Sequence, residues 1–213
     1  FMAIPLFVFM GVMLEKSKLA EELIDVIGHL FGGISGGMGV AIILVGVLLG
    51  AATGIVGATI VTLGLLTLPT LLRRGYPKTL ATGMICASGT LGQIIPPSLV
   101  LILLAEILGE SVGTMFAAAM VPGLTLAAVY IIAILVIAKL YPNLMPPIPA
   151  EERAEMGRGQ LIRKVITVVG PPVGLVFAVL GSIIGGIAAP TEAASMGALG
   201  ALLIVACSGR LTF

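Results

Sequence analysis

The sequence predicts an all-α integral membrane protein, a multi-span helical bundle with a re-entrant helical hairpin and a discontinuous helix. Hydrophobic residues make up 59% of the chain and charged residues only 10%, with a mean hydropathy of +1.22, whereas soluble domains carry about 25% charged residues. The run from Leu30 to Leu72 contains no charged side chain. As a helix, at about 1.5 Å per residue, this run is long enough for about two crossings of a bilayer core. The small, glycine-containing segment Ala52–Ala58 interrupts it near the middle, which predicts a hairpin whose tip stays at membrane depth.

The elements before and within this run follow from length and spacing. Phe1–Leu14 is apolar but too short to span alone, so we expect the end of a membrane span there. Ser17–Leu30 places apolar residues at helical spacing opposite acidic ones, which predicts an amphipathic surface helix over 17–30. The hairpin then occupies 38–72, with arms Met38–Ala51 and Ala58–Leu72, each shorter than the roughly 20 residues of a full span.

A second interruption lies within the next apolar stretch. Thr79–Ala105 contains the glycine- and proline-rich segment Ser88–Ser98, which predicts a helix over 79–105 that is broken at membrane depth. Met115–Leu140 is long enough for a complete span.

The remainder of the chain predicts a linker and further spans. Tyr141–Lys164 is rich in proline, glutamate and arginine, so we expect an extramembrane linker over 141–164. Residues 165–213 should then form connecting spans, the first over Val165–Ala189 and the next starting with Ala193–Cys207. Because the chain begins and stops beside apolar runs, we expect a piece of a longer membrane protein.

The charges of the short loops predict an orientation. The loop after the hairpin and the region around the linker are basic, and the loop between them carries Glu106 and Glu110 with no basic residue. The positive-inside rule therefore places the first two on the cytoplasmic side and the third outside. A hairpin and two full spans both fit this parity, so the orientation leaves re-entry open. The basic residues are Arg73, Arg74, Lys78, Lys139, Arg153, Arg158, Arg163 and Lys164.

The two interruptions also hold the candidate ligand atoms, because each frees backbone groups that a continuous helix would pair. Hydroxyl and backbone oxygens come from Thr53, Gly54, Gly57 and Thr59 in the first interruption, and from Ser88, Gly89, Thr90, Gly92 and Gln93 in the second. Pro96 and Pro97 lack N–H donors and leave upstream carbonyls free. Such half-helix ends suit a cation such as Na⁺ at their carbonyls and an anion at their N-termini. Helix packing by glycine, or a purely structural kink, would explain the same residues without a ligand.

Glu192 lies in Pro190-Thr191-Glu192-Ala193-Ala194, at the edge of an apolar segment. An ionisable residue at this place indicates a functional site, and an acidic first turn of a helix explains it equally well.

Other classes of function find little support in the residues. Gly33-Ile34-Ser35-Gly36 matches a short serine-protease pattern, but the sole histidine, His29, lies on the adjacent surface segment and not on a separate helix. We therefore expect no catalysis. Nucleic acid is not an expected partner because no basic patch with interleaved aromatics exists. The two cysteines, Cys86 and Cys207, lie in apolar runs and are expected to be buried and unpaired.

Four segments resemble, in order, the large membrane (DctM-type) subunit of tripartite ATP-independent periplasmic (TRAP) transporters. The most specific is Gly92-Gln93-Ile94-Ile95-Pro96-Pro97-Ser98 within Ala87–Ser98, followed by Pro190-Thr191-Glu192-Ala193-Ala194. The other two are Ala3–Gly11 and Arg73–Pro77. The family's hairpin tip often reads Ser-Gly-Ser, whereas this chain has Thr53-Gly54-Ile55, so the resemblance implies no side-chain ligand at Ile55.

The resemblance implies sodium-coupled secondary import of an organic acid across the bacterial inner membrane, with no cofactor and Na⁺ as the coupling ion. The implied partners are a periplasmic substrate-binding protein and a small membrane subunit. Residues 1–140 correspond to the first of two inverted repeats. Sodium would bind between the Thr53–Gly57 tip and the Ser88–Gln93 break, through Thr53, Gly54, Ser88, Gly89, Thr90 and Gln93, with the substrate beside them. A stand-alone sodium/dicarboxylate symporter with the same plan, and a non-transporting scaffold subunit, are the alternatives.

Overall fold

The computed structural model describes residues 2–17, 19–149, 151–152 and 157–208, all of which form helices, turns and loops without a β-strand. Five helical stretches in this part of the chain are long and apolar enough to cross a membrane, which confirms the predicted fold class. The expectations above name some positions outside the described residues, namely Phe1, Arg153, residues 209–213 and the side chain of Arg158.

Within the described ranges, ten α-helices follow one another, with a short 3₁₀ turn after the seventh and a π-helical segment after the eighth. They are α1 (Ala3–Lys16), α2 (Leu19–Phe31), α3 (Gly37–Thr53), α4 (Val56–Arg73), α5 (Lys78–Ile94), α6 (Leu99–Leu108), α7 (Val112–Leu140), the 3₁₀ turn (Pro142–Leu144), α8 (Arg158–Lys164), the π segment (Val165–Val169), α9 (Gly170–Ile184) and α10 (Pro190–Cys207).

Helix α3 is the centre of the bundle. Its sequence is apolar on all sides until Thr53, which is the pattern of a helix surrounded by other helices. It contacts α1, α2, α4, α5, α7 and α9, and almost all of its residues are buried. The hairpin of α3 and α4 is therefore packed inside protein over its first arm, as irregular backbone at membrane depth requires.

The unwound part of the hairpin is shorter than the predicted Ala52–Ala58 segment. Helix α3 continues to Thr53 and α4 starts at Val56, so that only Gly54 and Ile55 lie outside a helix. Gly54 has the left-handed conformation (φ 62°), and its N–H donates to the Gly50 carbonyl at 2.8 Å, which closes the last turn of α3.

The predicted break over Ser88–Ser98 is wrong in its first half, because α5 continues through Ser88, Gly89, Thr90, Gly92 and Gln93 as far as Ile94. A backbone without water keeps its intrahelical hydrogen bonds wherever donors exist. The donors end at the two prolines, so only Ile95–Ser98 separates α5 from α6.

The segment predicted as an extramembrane linker over 141–164 is shorter and returns to the hairpin. Helix α8 begins at Arg158 and continues through the π segment into α9, so the following span starts before the predicted Val165. The Ile148 N–H donates to the Gly32 carbonyl at 2.8 Å, and the Gly36 N–H donates to the Met145 carbonyl at 3.2 Å. These bonds fix the linker across the base of the hairpin.

Two side chains after α4 add to this contact. Arg74 forms an ion pair with Glu152 at 2.6 Å, and the Tyr76 hydroxyl donates a long hydrogen bond of 3.5 Å to the Pro146 carbonyl. Burial raises the pKa of Tyr76 to about 12, against the opposing charge of Arg74. The phenol is therefore protonated at neutral pH and able to donate.

Candidate ion and substrate site

The hairpin tip is organised by two threonine hydroxyls. Thr53 and Thr59 are both buried, and their Oγ1 atoms are 3.0 Å apart. The Thr59 hydroxyl donates to the Ile55 carbonyl at 3.1 Å, and the Ile55 N–H points to the Thr53 hydroxyl at 3.4 Å. The Ile55 carbonyl also accepts from the Thr59 N–H at 3.2 Å. Both lone pairs of the Ile55 carbonyl are therefore used within the tip.

The tip lies against the start of α6. A Cβ added at Gly54 would be 3.1 Å from Leu99 Cγ and 3.3 Å from the Leu99 backbone nitrogen. Ser98 is fully buried and caps α6, because its hydroxyl accepts from the Leu101 N–H at 3.5 Å. The N-terminus of α6 therefore faces the point where α3 ends and α4 begins.

Helices α3 and α5 run parallel and approach each other through glycine. A Cβ on Gly50 would be 2.2 Å from the Gly92 Cα, and one on Gly46 would be 2.6 Å from the Ser88 Cβ. On the other side of α5, a Cβ on Gly89 would be 2.2 Å from Ile60 Cγ1 on α4. These contacts bring the C-terminal ends of α3 and α5 to the same level.

The end of α5 leaves two carbonyls without a helical donor. In a continuing helix, the carbonyls of Gly92 and Gln93 would accept from residues 96 and 97, which are both proline. The Ile95 N–H still donates to the Leu91 carbonyl at 2.9 Å, so the ladder ends there. Because helix carbonyls point toward the C-terminus, these two oxygens are directed to the level of the hairpin tip.

The candidate residues of α5 therefore separate into groups with different surroundings. Ser88 and Gly89 are buried between α5 and the hairpin, and the Ser88 hydroxyl donates to the Ile85 carbonyl of its own helix at 2.8 Å. Thr90 is exposed, and its hydroxyl donates to the Ala87 carbonyl at 2.8 Å. Gln93 is half-buried beside the unpaired end of the helix. The last turn of α5 thus lies beside the end of α3 through the contact of Gly92 with Gly50, whereas the Thr90 side chain points away from α3.

Two further candidates lie at helix starts. Gly57 is an exposed residue in the first turn of α4, and a Cβ there would contact nothing within 4 Å, so packing does not require glycine at this position. Glu192 is the third residue of α10, where its Oε2 accepts from the Ala189 N–H at 2.9 Å. This bond is the helix-capping role that the sequence left open, and a binding role for Glu192 stays a prediction.

The sequence reasoning missed Gly50, which sets the distance between α3 and α5. Its spacing of four residues from Gly46 is the small-residue pattern of close helix packing, so a signal was present. In the described part of the chain, no group of three or more His, Cys, Asp or Glu residues could hold a metal ion. The oxygens that we consider at these two helix ends are hydroxyls and backbone carbonyls.

A hairpin and a broken helix that meet below the surface of an all-helical bundle define a multi-pass membrane protein with discontinuous helices. The sequence model of the family described as "Tripartite ATP-independent periplasmic transporter, DctM component" matches residues 1–213. The chain belongs to this family, and is part of a multi-pass protein of the inner membrane.

Curated relatives agree with this assignment. The chain is 33% identical over 199 residues to the C4-dicarboxylate TRAP transporter large permease protein DctM of Pseudomonas aeruginosa, covering 93% of this chain and 44% of the relative. It is 32% identical over 219 residues to the DctM protein of Rhodobacter capsulatus, covering 95% and 48%. The ectoine TRAP transporter large permease protein TeaC of Halomonas elongata is 31% identical over 203 residues, covering 95% and 45%. The chain thus spans about half the length of these relatives.

Proposed function

We propose that this chain is one half of a large permease subunit that imports an organic acid by sodium-coupled secondary transport. A periplasmic binding protein would deliver the substrate, and a small membrane subunit would complete the permease. The role is transport without catalysis. The observation that carries the proposal is that α3 and α5 touch at Gly50 and Gly92, so that two groups of oxygens lie at neighbouring helix ends. The Thr53–Thr59 hydroxyl pair lies at the end of α3, and the carbonyls of Gly92 and Gln93 lie at the end of α5.

The cation site that we propose lies between these two groups of oxygens. Na⁺ is held in transporters by unwound carbonyls and the C-terminal ends of half-helices. The C-terminal ends of α3 and α5 also carry the negative end of the helix dipole, which favours a cation without a buried carboxylate. In this proposal Ser88 and Gly89 set the position of α5, and the ligand atoms come from Thr53, Thr59, Gly92 and Gln93.

The substrate that we propose is a small carboxylate. The names of the relatives include C4-dicarboxylate and ectoine permeases, both of which handle carboxylate-bearing molecules. The first turn of α4, in which Gly57 is exposed, carries N–H groups and the positive end of a helix dipole, which suit an anionic group. The half of the permease that is absent from this chain would complete the pocket.

The test is uptake of radiolabelled succinate into proteoliposomes that contain the full-length permease with its small subunit. Uptake is measured with and without a sodium gradient, and with and without the purified binding protein. Dependence on both supports the proposal. Uptake that needs sodium but is indifferent to the binding protein supports the stand-alone symporter, and no uptake of any organic acid tested supports a scaffold subunit.

A matched pair of variants tests whether the cation binds at the hairpin tip. Thr53→Val removes one hydroxyl of the tip at nearly constant volume and should raise the sodium concentration that gives half-maximal uptake. Thr67→Val is the control, because Thr67 is a buried threonine whose hydroxyl donates only to the Leu63 carbonyl of its own helix. Equal sodium dependence in the two variants would contradict a site at the tip.

A further inference from the structure

Helix α1 contacts the hairpin tip directly, backbone against backbone. A Cβ added at Gly11 would be 2.4 Å from the Thr53 Cα and 2.9 Å from the Ala52 carbonyl oxygen. Only glycine allows this approach, because the atoms that a side chain would meet belong to the main chain and cannot rotate away. The position of Thr53 is thus set by the surface of α1 as well as by its own hairpin.

A polar contact lies one turn further along the same face of α1. Glu15 follows Gly11 by four residues, so both residues face the hairpin. Glu15 Oε1 accepts a hydrogen bond from the Thr62 hydroxyl on α4. Thr62 is three residues beyond Thr59 on the same helix, so this bond holds the arm that carries the second hydroxyl of the tip.

Helix α1 also packs against α10. Met10 is fully buried, and a Cβ added at Gly197 on α10 would be 2.8 Å from the Met10 sulfur. Since α1 packs against α10 as well as against the hairpin, moving α1 away from the tip would also disturb its contact with α10. Part of the displacement is therefore transmitted to the tip, whose atoms at the contact belong to the main chain.

We propose that Gly11 and Glu15 are positioning residues for the cation site, which α1 holds in its binding geometry through a backbone contact at Thr53 and a hydrogen bond at Thr62. This inference rests on the proposed sodium site. It adds helix α1 to that site, although no oxygen of Gly11 or Glu15 is a proposed ligand of the ion. The Glu15 carboxylate acts by fixing the second arm of the hairpin.

The size of the effect follows from the contact distance. An alanine Cβ at position 11 must move from 2.4 Å to at least the 3.4 Å of ordinary contact, so α1 and the tip must separate by about 1 Å. Binding geometry has to be kept within about 0.5 Å. Loss of an outer-shell partner typically lowers metal affinity by about 10- to 100-fold. We therefore expect Gly11→Ala and Glu15→Leu each to raise the half-saturating sodium concentration by about tenfold or more.

The conservative variants separate positioning from general damage to the fold. Glu15→Gln keeps an oxygen that accepts from Thr62, so its half-saturating sodium concentration should stay within about twofold of wild type. Thr62→Val removes the donor and should match Glu15→Leu, and the double variant should be no worse than either single one, because both remove the same bond. Gly64→Ala on α4 is the control for added volume, since a Cβ there meets nothing within 4 Å.

The experiment titrates sodium against the melting temperature of the purified full-length permease with its small subunit, with choline as the control cation. Uptake of radiolabelled succinate gives the maximal rate separately. A shifted sodium midpoint in Gly11→Ala and Glu15→Leu, but not in Glu15→Gln or Gly64→Ala, is the expected result. Unshifted midpoints in folded Gly11→Ala and Glu15→Leu, or a Glu15→Gln midpoint equal to that of Glu15→Leu, overturn the inference. If wild type itself shows no response specific to sodium, the proposed cation site fails first.

Discussion

The contact between Gly50 and Gly92 gives a prediction that tests the packing on which the site depends. Gly92→Ala adds one methyl group where α5 meets the backbone of α3. The new Cβ would lie 2.2 Å from the Gly50 Cα and 2.7 Å from the Gly50 carbonyl carbon. To reach the ordinary contact distance of 3.4 Å, the two helices must separate by about 1.2 Å.

The cost of this separation is an overpacking cost. Both neighbours are main-chain atoms of a buried helix, so no side-chain rotation relieves the contact. Insertion of a methyl group into a close-packed interior typically costs about 1 to 3 kcal/mol. The general preference for alanine over glycine in a helix returns only about 0.5 to 1 kcal/mol. We expect Gly92→Ala to lower the free energy of unfolding, and with it the melting temperature.

The assay compares melting temperatures of the full-length permease in detergent, read as the fraction that remains monodisperse after heating. Gly83→Ala is the matched control, because Gly83 lies on the same helix and a Cβ there would contact nothing within 4 Å. We expect Gly83→Ala to melt at or above the wild-type temperature and Gly92→Ala to melt below it. If the two variants melt together, the close approach of α3 and α5 does not exist and the proposed cation site has no structural basis.

Three further predictions concern Pro96, Tyr76 and Glu192. Pro96→Ala supplies an N–H to the end of α5, so the sodium concentration for half-maximal uptake should rise, whereas Pro69→Ala inside α4 should leave it unchanged. The pKa of Tyr76 is raised to about 12 from 10.0, so its stabilising contribution is complete below pH 10 and is lost as the pH approaches 12. Over that window the melting temperature of wild type should fall more steeply than that of Tyr76→Phe. Glu192→Gln keeps the helix-capping oxygen and should transport normally, while Glu192→Ala should lose about 1 kcal/mol of stability. A transport defect in the glutamine variant would show that the charge itself is needed.

The hairpin could be predicted from the sequence because its signal is local. A long run without charges, interrupted by Thr53 and Gly54, has few structures that satisfy the backbone in a membrane. The observed helices α3 and α4 end within a few residues of the predicted arms. The amphipathic helix over 17–30 could also be predicted from local spacing, since α2 buries most of the apolar face that this spacing predicts.

Two features could not be predicted because they depend on distant parts of the chain. Composition marked Ser88–Gln93 as a break, but serine, threonine and glycine are compatible with a membrane helix when every N–H keeps its carbonyl. Only proline removes a donor, so the glycine-rich composition of this segment overstates the length of the break. The return of the linker to Gly32 and Gly36 joins residues more than a hundred positions apart, and no local pattern contains that pairing.

The close contacts of the parallel helices explain how the candidate site is assembled from two separate sequence signals. Each interruption alone is only a helix end, and a helix end binds nothing without partners at the same depth. The glycine contact at Gly50 and Gly92 fixes that depth, because the next turn of α3 is the Thr53 tip and the next turn of α5 would require the N–H groups that two prolines lack. The relative position of the polar atoms at the site therefore depends on the apolar contact between Gly50 and Gly92, one turn away. A substitution that changes only helix packing should consequently alter the binding of an ion that it does not touch.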